Sequence, residues 1–487
     1  MNAYITQLFG TRDAESTNDL PFRIIFWLSM YTPFEEFFLR WLPNPIAVPL
    51  RFVPELILYG LALKVCGSKI LRGDRLKKTP IDLWVAAFFV ATAISMVLNG
   101  SGPRGSLLNM RTIWRYLSVF YIAVNIDISK SELKRMLSGL KVVMVIQAFI
   151  GSIQYFLPAR VNLVLFAPKG FQIGGYNGTS NASSGGLKVG ATAGTFSDPA
   201  VLSAFMLIGL ALFFASSYVG SSPLLPARWV ELRDLALLLF STFATKKRAA
   251  LLIALFIPLV TIYVYGKSKK LANIGWFYGA IGLVGILAII SLGAVSNSSL
   301  AGVDERETSV SLSAYFLQIF SADYWQQSNE AARGWFMNVI LDTLITTRSW
   351  FGLGPDFWHA LNIIEATTLR TGEDIDKLYR DAGVFDDGFW FAFLAYFGIV
   401  GTLIYGIILK RLYDASKWLA RVASEPEYKT LGAMFATVIV VTVFYTFVER
   451  TLRLRAFSFY FWLLAGLVIN ACHVKIAAIK QARSSGH

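Results

Sequence analysis

Runs of about twenty apolar residues recur from one end of this sequence to the other, and they decide what the chain can become. In hydrocarbon every backbone polar group has to be satisfied within the protein, so only helices and closed barrels cross a bilayer. A barrel would show short segments of alternating polarity, and none are present. Only 16% of the 487 residues are charged, against roughly 25% in an ordinary soluble protein. The expected fold class is therefore all-α, a polytopic bundle of about twelve transmembrane helices. The spans fall near 22–42, 47–66, 81–99, 108–127, 137–157, 198–218, 229–246, 249–266, 274–295, 388–409, 431–448 and 455–473. Glu35, Glu36 and Arg40 interrupt the first. The seventh and eighth must turn sharply at Lys246, Lys247 and Arg248.

The formal charge of +14 raises the question of nucleic acid. The cations are scattered among helix ends instead of gathered on one module, so no nucleic-acid partner is expected. Alternate loops carry them, from Lys69, Arg72 and Arg75 through Lys130, Lys134 and Arg135 to Lys410, Arg411 and Lys475. The positive-inside rule makes these loops cytoplasmic and places both termini there, as an even span number requires. The opening MNAYITQLFGTRDAESTNDL is too polar for a cleaved signal peptide, so the first span is expected to do the targeting. Cys66 and Cys472 build neither a disulfide framework nor a metal cluster.

On the opposite side lie two long segments. Residues 158–197 include the Gly-, Ser- and Asn-rich FQIGGYNGTSNASSGG, a flexible loop by composition. The chain thus divides into helices one to nine with that loop (1–295), a large outer loop with short interfacial helices such as 309–320 and 334–346 (296–387), and the last three spans with the tail (388–487).

Two cationic clusters sit on the side where positive charge is disfavoured: Lys246-Lys247-Arg248, and Arg450, Arg453 and Arg455. One reading is snorkelling to lipid headgroups. The sharper one is a diphosphate clamp, since Arg offers a planar fork for phosphate oxygens and Lys a point charge. Arg333 heads the interfacial helix and pairs with a solvated Glu330 or joins the clamp. The glycines of FGLGPDFW are spaced for a tight turn. Asp386 and Asp387 precede the helix beginning GFWFAFLAYFG, where carboxylates serve as caps or, facing a cavity, as a general base. Adjacent residues on a helix cannot both face one cavity, and Asp387 is favoured as the base. His359 packs among aromatics or contacts substrate. There is no nucleotide-phosphate loop and no metal-ligand spacing, so no cofactor is expected.

These patches, in this order, resemble the O-antigen ligase and O-antigen polymerase superfamily of bacterial envelope glycan assembly. GTFSDPAVLSAF (194–205) is similar to the start of the helix after that family's middle outer loop. FATKKRAALLIAL (243–255) resembles its Thr-x-Ser-Arg pattern and places a key arginine at Arg248. RGWFMNVILDTLITTRSWFGLGPDFW resembles its amphipathic helix and Gly-x-Gly turn, placing a second at Arg333. DDGFWFAFLAYFGIVG resembles its His-Asn, nine residues, Gly-x-x-Gly motif, with Gly398 and Gly401 in register. Asp387 stands where ligases carry His, and Gly388 where they carry Asn, which favours a polymerase or exopolysaccharide relative over a lipid A-core ligase.

The resemblance covers roughly residues 80–475. It implies a GT-C-like bundle in the bacterial inner membrane with a periplasmic active site. The activity implied is metal-independent, inverting glycosyl transfer from a polyprenyl-diphosphate-linked oligosaccharide to a glycan acceptor, with a chain-length regulator as a further partner. Arg248 and Arg333 would hold the diphosphate and Asp387 would activate the acceptor. By position, Lys246, Lys247, Glu449, Arg450, Arg453, Asp386 and His359 line the substrate. A peptidoglycan-type polymerase, a lipid-linked oligosaccharide flippase and a structural subunit are the rivals. A transporter would show inverted repeats and broken helices, and the sequence suggests neither.

Overall fold

The structure is a computed structural model that describes residues 20–158, 161, 165–166, 191–219, 228–265, 333–371 and 388–485. Among these residues the regular secondary structure is all helical, with no strand. Seven helices among the described residues are long and apolar enough to cross a membrane: Asn44–Leu71, Asp82–Asn99, Lys130–Phe156, Pro199–Val219, Phe389–Val422, Pro426–Tyr445 and Arg455–Ser484. Each coincides with an expected span. The expected ninth span, 274–295, and the piece at 309–320 lie outside the described residues.

The first expected span is not one helix. α1 (Leu20–Tyr31) gives way to a 3-10 turn at Thr32–Phe34 before α2 (Glu35–Leu39). Pro33 sits in that turn and has no N–H to continue the α-helical ladder. α3 (Asn44–Leu71) and α4 (Asp82–Asn99) follow, α4 closed by Gly100 in the left-handed conformation. The fourth expected span is likewise two helices, α5 (Pro103–Trp114) and α6 (Leu117–Asn125). α7 (Lys130–Phe156) starts on a capping box between Ser129 and Glu132.

α8 (Pro199–Val219) is hydrophobic on all sides, as a helix must be when protein surrounds it. It packs against α7, α9 (Arg228–Ala244), α10 (Arg248–Tyr265), α14 (Pro426–Tyr445) and α15 (Arg455–Ser485). α3 and α4 lie outermost, and Leu63, Leu83, Val97 and Leu98 on them face outward as lipid-facing residues do. The expected turn between the seventh and eighth spans is present: Lys246 has φ 53 and α10 begins two residues later.

Residues 191–198, leading into α8, are not helical, and yet 191–196 are buried and 197–198 half-buried. Non-helical backbone at such a position has to be satisfied by protein. α7 supplies the partners. Gln154 accepts from the N–H groups of Ala193 (3.1 Å) and Gly194 (2.8 Å) and donates to the Gly194 carbonyl (2.6 Å). Two turns earlier, Gln147 accepts from the Thr195 N–H at 3.2 Å and donates to the Thr195 hydroxyl at 2.5 Å. Gln154→Leu strands three buried main-chain groups, each costing about 1–3 kcal/mol. The expected result is a melting temperature in detergent lowered by several degrees, with Gln154→Glu intermediate.

α11 (Arg333–Thr346) and α12 (Phe357–Thr371) pack on each other and on α13 (Phe389–Val422). The glycine turn between them docks into α13. Gly398 has φ 64 and ψ −169, which no helix residue adopts, so α13 is broken there. The Leu353 N–H donates to the Ala395 carbonyl at 2.7 Å, and the Val400 N–H to the Trp350 carbonyl at 3.2 Å. Asn99 of α4 donates to the Gly352 carbonyl at 2.8 Å. The break corrects the sequence-based expectation of uninterrupted helices. Its cause is a main-chain clasp supplied from more than forty residues upstream.

Candidate functional site

The two clusters singled out by their misplaced charge meet. Lys246, Lys247 and Arg248 form the turn from α9 to α10, and Glu449, Arg450 and Arg453 lie between α14 and α15. Lys247 donates to Glu449 at 2.7 Å, tying one tip to the other. All six are half-buried. Lys246 turns the chain in the left-handed region, which leaves Arg248 as the first residue of α10.

The 446–454 connection is held in place from the far side. Arg453 lies in a 3-10 turn, its N–H bonded to the Arg450 carbonyl at 2.8 Å. The Arg453 guanidinium donates to Oδ1 of Asn109 on α5 at 2.9 Å. Two residues on, Arg455 pairs with Glu35 of α2 at 3.1 Å and Glu55 of α3 at 3.6 Å, and donates to the Arg51 carbonyl. Glu55 is 3% exposed and also receives Arg111 at 2.5 Å and Arg115 at 3.4 Å. Arg111 lies over the Phe52 ring, 4.9 Å from its centroid. Three guanidiniums from two helical regions thus converge on one buried carboxylate.

The non-helical segment 191–198 borders the same end of the bundle. The Thr192 N–H donates to the Ala244 carbonyl beside the Lys246 turn at 3.0 Å, and the Ser197 N–H to Glu36 at 2.7 Å. Asp198 caps α8 by accepting from the Ala200 N–H at 2.7 Å. Around this rim the cations outnumber the carboxylates. Such a surface attracts an anion with several oxygens, and exclusion of water strengthens each contact.

The remaining predicted residues separate from this rim or fall beyond it. Arg333 is the first residue of α11, which falls on the short helix expected at 334–346. His359 lies in α12, its N–H bonded to Asp356 at 3.2 Å, and its ring borders the Gly354 turn near Ser101. Its described contacts are with that turn and not with the Lys247–Glu449 pair. Two amides of the turn, Gly352 and Leu353, are bonded to Ser349 and Ala395, which leaves them no part in an anion nest. Asp386 and Asp387 lie outside the described residues. Among the described residues no group of three or more His, Cys, Asp or Glu is placed to hold a metal ion.

Asn109, Arg111, Arg115 and Glu55 were not singled out from the sequence. The available signal was a set of ionisable side chains inside apolar runs, with Arg111 and Arg115 four residues apart. Comparison of the sequence with protein families and with curated proteins gives no match.

Proposed function

We propose that this protein is a glycosyltransferase of the bacterial inner membrane, of O-antigen or exopolysaccharide polymerase or ligase type. It transfers oligosaccharide from a polyprenyl-diphosphate donor to a glycan acceptor on the periplasmic side, with both termini cytoplasmic. The observation that carries the reading is the meeting of the two cationic tips through Lys247 and Glu449. Tips that only snorkelled to separate headgroups have no reason to be joined. An anionic ligand spanning both has one.

In this reading Arg248 and Arg333 bind the diphosphate, with Lys246, Lys247, Arg450 and Arg453 completing the positive rim. Asp387, which directly precedes the Gly388 N-cap of α13, takes the proton from an acceptor hydroxyl. That oxygen bonds to the anomeric carbon, the bond from carbon to diphosphate oxygen breaks, and the electron pair leaves on polyprenyl diphosphate. Inversion follows from attack opposite the leaving group. The cations stabilise charge that grows on the leaving oxygens, and such preorganised contacts contribute most to rate.

The test is glycan transfer by the protein in nanodiscs, given a polyprenyl-diphosphate oligosaccharide and followed by gel. Arg248→Ala and Asp387→Asn are each expected to slow transfer by about a hundredfold or more. Wild-type rates in both would overturn the assignment. The break in α13 favours one second reading, a lipid-linked oligosaccharide flippase, since transporters build sites on discontinuous helices. Here the Trp350–Leu353 clasp occupies the main-chain groups that such a site would use. Lipid scrambling in liposomes without any transfer would select the flippase.

A further inference from the structure

Asn109 is 8% exposed and lies on α5, facing the Arg453 turn. Its amide is oriented by that contact: the guanidinium only donates, so the oxygen of Asn109 must face Arg453 and the nitrogen must face away. The Nδ2 group is buried and has no hydrogen-bond partner among the described residues. A buried donor left unmet is costly, and native proteins rarely keep one without a use. If Asn109 served only to hold Arg453, an aspartate would do so with a stronger, charge-assisted bond. The amide instead offers two functions on one side chain, an acceptor for the arginine and a donor beside it.

We infer that Asn109 is a ligand-binding residue, whose Nδ2 donates to an oxygen of the same anion that Arg453 attracts. The inference rests on the proposed function, and the chemical class it assigns to that anion is a prenyl-linked diphosphate. Asn109 and Arg453 then form a paired donor edge, with Asn109 Oδ1 fixing the guanidinium plane. Glu55 and Glu35 keep that edge in place through Arg455, two residues along the chain.

The substitution that separates the two roles is Asn109→Asp. It has the same size and keeps an oxygen for Arg453, while it replaces the donor with a negative charge. Geranylgeranyl diphosphate, geranylgeraniol and inorganic pyrophosphate would be titrated into the protein in nanodiscs, with thermal melting recorded alongside. The expected result is wild-type binding of geranylgeranyl diphosphate, with the alcohol much weaker. Asn109→Asp should melt at the wild-type temperature or above and bind the diphosphate at least about tenfold more weakly. Binding by the variant should recover relative to wild type as pH falls and its new carboxylate is protonated, which a folding defect would not give. Pyrophosphate binding as tightly as the lipid, with the same loss, would assign the edge to free phosphate and overturn the prenyl-linked ligand. Equal binding by wild type and Asn109→Asp would overturn the inference and leave the proposed function standing. Absence of any diphosphate binding by wild type would overturn both.

Discussion

Gly398→Ala is expected to abolish recovery of folded protein, an outcome out of scale with the addition of one methyl group. With φ 64 and ψ −169, Gly398 occupies a region that is essentially closed to residues with a Cβ. A Cβ there would also fall on the Trp350 carbonyl oxygen and the Gly352 nitrogen, both main-chain atoms. No rotamer change relieves that contact. Either α13 straightens or the 350–354 turn lifts away, and both break the bonds from Leu353 to Ala395 and from Val400 to Trp350. Strain of about 1–3 kcal/mol adds to about 1–3 kcal/mol for each stranded group. Together these approach the whole net stability of a typical domain, about 5–15 kcal/mol. Gly406 lies further along the same helix with nothing within 4 Å of its would-be Cβ, so Gly406→Ala is the matched control. Fluorescence-detected size exclusion in detergent should give a normal peak for Gly406→Ala and none for Gly398→Ala. Equal peaks would mean that the clasp is not what holds α13 to the 350–354 turn.

The contrast between those two glycines shows what a sequence read alone can and cannot carry. In a membrane helix a glycine most often marks close packing or tolerance, and although Gly398 fits a family motif, no local pattern in FGIVGTLIYG marks it and not Gly406 as a break. What distinguishes them is main chain arriving from Trp350 to Gly354, a tertiary fact. Span positions were legible because length and hydrophobicity are local properties, and each of the seven long helices falls where the apolar runs do. Breaks within spans were not legible, although Pro33 was a cue in the first. The cationic tips were legible as anomalies of charge, since a topology rule existed for them to violate. That the tips touch depends on α14 packing beside α10, which no local pattern encodes. Glu55, Arg111 and Arg115 each fall within an expected span, and nothing local tells what they pair with until the packing of their helices is known. Gln147 and Gln154 are a similar case, two amides seven residues apart whose purpose appears only with the chain they bind.

Glu55→Leu is expected to destabilise the protein by about 3–5 kcal/mol, because it removes the carboxylate and leaves its guanidiniums in place. Their fates differ. Arg111, with 32% of its side chain exposed, can turn toward water and keep its contact with Phe52. Arg455 retains Glu35 and the Arg51 carbonyl. Arg115 is 11% exposed, and its ion pair with Glu55 is lost. Most of the penalty is therefore assigned to Arg115, and Glu55→Leu combined with Arg115→Leu should recover a large part of it, since a buried pair replaced on both sides by apolar residues is often tolerated. Thermal unfolding in detergent of the two single variants and the double gives the coupling directly. Losses that simply add would mean that the pair does not bear the cost. A rescued fold makes a second question answerable, because Arg453 follows Arg455 in position. Without Glu55, Arg455 rests on one carboxylate, the 3-10 turn loses part of its anchor, and the Asn109–Arg453 edge shifts relative to the Lys247–Glu449 pair. Stability restored in the double variant with transfer still depressed would separate the two duties of this buried carboxylate, holding the helices together and aiming the cations above them.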